Sequence, residues 1–145
     1  MRRTPYKHKP MSSSEAVQRR REIREFARQV AEEFHPDRII LFGSHAYGVP
    51  HADSDVDVLV VMPARNPISQ AVKIRFALPA PFPLDLLVRS PEMVAQRIER
   101  NDAFMREIIT QGKVLYEKGN RSVGSQSRRR LSPRRVDRES KRAIP

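Results

Sequence analysis

The chain has 145 residues, 39% of them hydrophobic, with 28 Lys and Arg against 17 Asp and Glu and a formal net charge of +11. That length allows one domain with a modest core. The absence of cysteine excludes disulfides and thiolate metal centres, leaving oxygen donors and hence Mg²⁺ or Mn²⁺ as the expected ions. No apolar run approaches membrane-spanning length and the N-terminus lacks an apolar signal segment, so a cytoplasmic protein is expected.

The excess charge lies at the ends. Residues 1–14 carry Arg2, Arg3, Lys7 and Lys9 with no acid, and residues 121–145 carry nine bases against Asp137 and Glu139. What remains between them balances at fifteen bases and fifteen acids. The run 128–135, rich in arginine, is of low complexity and reads as disordered. Such a tail can contact RNA or an acidic surface through counterion release, although a solvated extension is the simpler reading. The expected organisation is a basic extension over residues 1–14, a domain over 15–119 and a basic tail over 120–145.

In chain order, Ser12 and Glu15 form a capping-box pattern. Ile23, Phe26, Ala27, Val30, Ala31 and Phe34 then follow at helical spacing, ending near His35-Pro36. Arg38–Phe42 is a short apolar run that reads as a buried strand. Gly43 follows where the chain must turn sharply and let backbone approach a ligand. Ser44 stands where a short helix can begin, so its hydroxyl and the next N–H groups can face an anion. Taken alone, a Gly-Ser pair after a strand more often marks an ordinary strand-to-helix turn.

Asp55 and Asp57 lie two apart on the next extended segment, so both leave the same face with their bases about 7 Å apart. From there two carboxylates can converge on a pair of metal ions about 4 Å apart. Val56 and Val58 take the opposite face, and Leu59, Val60 and Val61 carry the run into the core. Strands disfavour Asp, so two of them leading into a valine-rich run require a cause. A calcium loop is rejected. Asp53, Asp55 and Asp57 copy its first three ligand positions, but it needs Gly at Val58 and Glu at Ala64.

A helix is expected over 67–78, then prolines at 79, 81 and 83 lead into a strand over 83–88 that contains Asp85. Ser90-Pro91-Glu92 supplies an N-cap, an N1 proline and an early acid for a helix to about Arg100. Asn101 is expected to cap a further helix with Phe104, Met105, Ile108 and Ile109 inward, ended by Gly112. Arg65, Lys73 and Arg75 are candidates to line a groove, with surface solvation the default. His45 is expected at a polar rim.

Gly43-Ser44-x-Ala46-x-Gly48, followed by Ser54-Asp55-x-Asp57 and a later strand carrying Asp85, resembles the minimal nucleotidyltransferases of the polymerase-beta-like superfamily. The likeness runs over roughly residues 15 to 119, including the closing segment 112–117. It implies an α/β (α+β) fold, a small mixed sheet with helices mainly on one face. Gly43 and Ser44 match the family's triphosphate-binding pair, Asp55 and Asp57 its metal ligands, and Asp85 a third carboxylate that contacts metal and accepts a proton. The implied reaction is metal-dependent transfer of AMP from ATP to a hydroxyl. Members of the group act as antitoxins, so a tyrosine of a HEPN-domain toxin is the implied acceptor. An antibiotic-modifying transferase and a non-catalytic, nucleotide-binding antitoxin are the alternatives. One departure is Tyr47, which stands where relatives often carry Arg and cannot bind phosphate bidentately.

Overall fold

The computed structural model describes residues 9–119; residues 1–8 and 120–145, with the run at 128–135, lie outside the described residues. The elements are α1 (Ser13–Phe34), β1 (Arg38–Phe42), α2 (Ser44–Tyr47), β2 (Val56–Val61), α3 (Pro67–Ala77), β3 (Leu84–Arg89), α4 (Pro91–Glu99), α5 (Ala103–Gln111) and β4 (Lys113–Glu117). The expected box begins α1: the Glu15 N–H donates to the Ser12 hydroxyl at 3.2 Å, and the Ser12 N–H donates to the Glu15 carboxylate at 2.8 Å. Ile23, Phe26, Ala27 and Val30 are buried along one side, as their spacing requires. His35 closes the helix in the left-handed region with φ 52°, just before Pro36 bars continuation.

The four strands form one mixed sheet in the order β3-β2-β1-β4. β1 runs antiparallel to both β2 and β4, whereas β2 and β3 are parallel, so α3 serves as the crossover between them. Alternation along the strands feeds two cores. Ile39, Leu41, Val56, Val58, Val60, Leu86 and Val88 face α1 and the inner side of α3. Ile40, Phe42, Leu59 and Val61 face Val94 of α4 and Met105 and Ile108 of α5. The mixed α/β class is as expected, but helices cover both faces instead of mainly one. The reason is that the continuous apolar runs of β1 and β2 present hydrophobic side chains on each side, and both must be buried. No helix among the described residues is long and apolar enough to cross a membrane.

Two local readings are corrected. Asp102, not Asn101, caps α5, accepting from the Met105 N–H at 3.0 Å, while Asn101 takes a left-handed turn at φ 65°. A charged oxygen at the helix start is as good a cap, and Asn tolerates positive φ better than most residues. Phe104, expected inward, is 52% exposed and meets Phe42 edge-on at 5.7 Å. Arg65, Lys73 and Arg75 lie on the exposed surface, with Arg75 Nη1 donating to the Leu84 carbonyl at 2.8 Å.

Candidate active site

Strand register gathers the acidic residues. Phe42 pairs with Asp57, and Asp57 pairs with Asp85 across the parallel β2–β3 ladder. Asp57 and Asp85 therefore leave the same face, the one that carries Phe42, Leu59 and Leu87 further along. Asp55 lies one step before β2 and is exposed, whereas Asp57 is half-buried. It is presented by a tight turn in which the His51 N–H donates to the Ser54 hydroxyl at 3.0 Å and the Ser54 N–H to the His51 carbonyl at 2.9 Å.

Because Phe42 is opposite Asp57, the next residue, Gly43, lands against the Asp57 carboxylate. A methyl group on Gly43 would overlap Asp57 Oδ2. Its backbone, at φ 75° and ψ −158°, is one that only glycine adopts readily. The single turn of α2 is then closed by the Ala46 and Tyr47 N–H groups, both donating to the Gly43 carbonyl. The structure thus puts Gly43, Ser44, Asp55, Asp57 and Asp85 at one end of the sheet.

The electrostatics follow from that crowding. Burial first, then the neighbouring Asp85 and Asp55 carboxylates, push the Asp57 pKa from the ordinary 3.8 to about 6. Among the described residues no salt bridge neutralises any of the three. Nor, among them, do three acidic or histidine side chains close into a ready cage. An open set of carboxylate oxygens with unmet negative charge fits Mg²⁺, which takes one or two protein carboxylates and completes its shell with water and substrate phosphate.

Two further side chains hold the rim. His45 Nε2–H donates to the Ser54 carbonyl at 3.3 Å, tying α2 to the turn that presents Asp55. Burial foremost, then nearby Arg19 and His51, lower the His45 pKa, so it serves as a neutral donor. Tyr47 Oη donates to Glu107 on α5 at 2.6 Å, and burial together with this bond raises the phenol pKa. Glu107 was not legible as a site neighbour, since sixty residues separate it from Tyr47 and no motif marks it.

The Asp57 environment predicts a pH dependence for the metal-free protein. The folded state holds the Asp57 proton more tightly than the unfolded chain, so stability is greatest below about pH 4 on this account and falls as pH rises through 6. The loss is about 1–2 kcal/mol after discounting for the side chain's contact with water. Melting curves between pH 4.5 and 7.5 should show it in EDTA, and Mg²⁺ should restore the melting temperature at pH 7.5. An Asp57→Asn protein showing the same slope and the same Mg²⁺ response would locate both effects elsewhere.

The sequence model for the nucleotidyltransferase domain matches residues 23–118, and the chain belongs to that family. A comparison with curated proteins found no match. Among solved structures the fold is similar to a protein of Sulfolobus solfataricus assigned as a nucleotidyltransferase. The TM-score is 0.51 at 17% identity, covering 71% of this chain and 84% of that one. A mutant of the toxin–antitoxin complex MntA–HpeT also matches, with TM-score 0.38 and 22% identity over 68% of this chain and 73% of that one.

Proposed function

We propose that this chain transfers AMP from ATP to a hydroxyl group. The observation that supports it best is the contact of Gly43 with the Asp57 carboxylate, which leaves a turn of a size to seat phosphate beside the paired strand residues Asp57 and Asp85. In this reading Gly43 and Ser44 seat the triphosphate, and Asp55, Asp57 and Asp85 hold Mg²⁺, with Mn²⁺ as a substitute. The ions, when bound, neutralise the triphosphate and polarise its phosphoryl oxygens. Asp85, exposed at the start of β3, takes the proton of the acceptor hydroxyl as its oxygen bonds to the α-phosphorus and the bond to pyrophosphate breaks. Positioning does most of the rest, which is why few residues are needed.

The motif resemblance supports a tyrosine of a HEPN-domain toxin as acceptor, making the chain an antitoxin. The basic ends would add a weak, salt-sensitive RNA contact. A non-catalytic, nucleotide-binding antitoxin is the second reading, favoured by Tyr47, which engages Glu107 and brings no cation to the phosphates. The test is incubation of the full chain with Mg²⁺, ATP labelled on the α-phosphate and the protein encoded by the adjoining gene, read by intact mass. Addition of AMP to a partner tyrosine is expected. A tight complex without modification would leave the non-catalytic reading, and modification of an aminoglycoside with the partner untouched would leave the antibiotic enzyme.

A further inference from the structure

The outer side of α3 has no role in the site or the core. Ile68, Val72 and Phe76 stand four residues apart, which aligns them along one side of the helix, and they are 77%, 48% and 84% exposed. The opposite side is already used: Ile74 is fully buried, with Ala71 and Leu78 packed beside it. A surface helix ordinarily keeps one apolar stripe for its own core. A second stripe of three large side chains, in line and facing water, marks a surface that another body covers.

Charge narrows what that body is. Arg65, Lys73 and Arg75 are exposed around the stripe, and no Asp or Glu stands between Asp57 and Asp85. Two copies of this chain joined stripe to stripe would set these cations against their own equivalents, which opposes association. An occupant with acidic margins meets both the apolar ridge and its cationic border. The spacing of the ridge suits the groove of another helix. Place matters as well. Arg75 binds the carbonyl of Leu84, the residue before Asp85, so the C-terminal end of α3 reaches the end of the sheet where the carboxylates gather.

We propose that the outer face of α3 is the docking surface for an amphipathic helix of a partner protein, with an apolar ridge on Ile68, Val72 and Phe76 and flanking Asp or Glu against Lys73 and Arg75. A protein held there lies beside the strand that carries Asp85. The inference concerns binding and is tested without nucleotide, so its failure and that of the transfer reading are separable.

The experiment uses the full chain and a display library of helical peptides with leucine at the ridge positions and randomised flanks, counter-selected against the Ile68→Ser/Phe76→Ser protein. Since both side chains are outside the core, that variant should keep the wild-type melting temperature. Expected are peptides enriched in Asp and Glu at the flanks, bound about tenfold more weakly by the variant, with slowed amide exchange in α3 of the wild type. Enrichment of neutral or basic flanks, equal binding by the variant, or no binder at all would overturn the proposal. So would a dimer in sedimentation that the variant loses, which assigns the face to a second copy, or variant-sensitive binding to phosphatidylserine vesicles, which assigns it to a membrane.

Discussion

Asp57→Asn should abolish transfer and, at the same time, make the metal-free protein more stable. The two effects have one cause. Asp57 is partly buried beside Asp85 and near Asp55, and burial first, then the repulsion of those two carboxylates, holds its carboxyl up at about 6. Removing that charge relieves the repulsion, and at neutral pH in EDTA the melting temperature should rise by several degrees, at about 4–8 °C per kcal/mol for a domain of this size. On the proposed reading the same change removes an oxygen ligand from the Mg²⁺ seat. Transfer should fall by about a thousandfold or more, equivalent to about 4 kcal/mol of transition-state stabilisation. Circular dichroism in EDTA and single-turnover transfer with Mg²⁺ and ATP measure the two. Normal turnover by this variant, or by Asp55→Ala/Asp57→Ala, would end the enzymatic reading.

Gly43→Ala should cost both stability and transfer, for a different reason. The residue sits at φ 75° and ψ −158°, where a side chain is strained by about 1–3 kcal/mol even in open space. Here the space is not open, because the new methyl group would meet Asp57 Oδ2. Either the carboxylate is displaced or the turn shifts, and a total loss of about 2–4 kcal/mol follows. Both movements separate the Gly43-Ser44 turn from the carboxylates, so on the proposed reading transfer should fall about a hundredfold or more. The double variant Gly43→Ala/Asp57→Ala provides the control. Truncating Asp57 makes room for the methyl group, so the double variant should regain part of the stability but none of the activity. A Gly43→Ala protein that melts like wild type would show that the turn does not press on Asp57.

How much of this was legible beforehand depends on the range over which each feature is decided. The capping box at Ser12 and Glu15, the stripe of α1, the N-cap at Ser90 and the apolar run of β1 are set within a few residues, and the chain folds as those signals read. The expectation of a common face for Asp55 and Asp57 was likewise local, because alternation in an extended chain needs no partner. Where local signals compete, reading one residue at a time fails. Asn101 and Asp102 are both good caps, and only the turn leaving α4, with the Asp102 N–H bonded to the Arg97 carbonyl, selects the second.

The rest was decided by tertiary structure. The sequence by itself determined which residues are candidates for the chemistry: a glycine able to turn, a hydroxyl after it, and carboxylates in strand-like segments. It did not determine their registers. That Asp57 faces Asp85, that Gly43 lands on Asp57, and that β4 closes the sheet as an edge beside β1 follow from pairings between distant segments. The bond from Tyr47 to Glu107, the exposure of Phe104 and the cover on both faces of the sheet have the same origin. Periodicity tells which side of an element is apolar; only the packing of all elements together decides what each side meets.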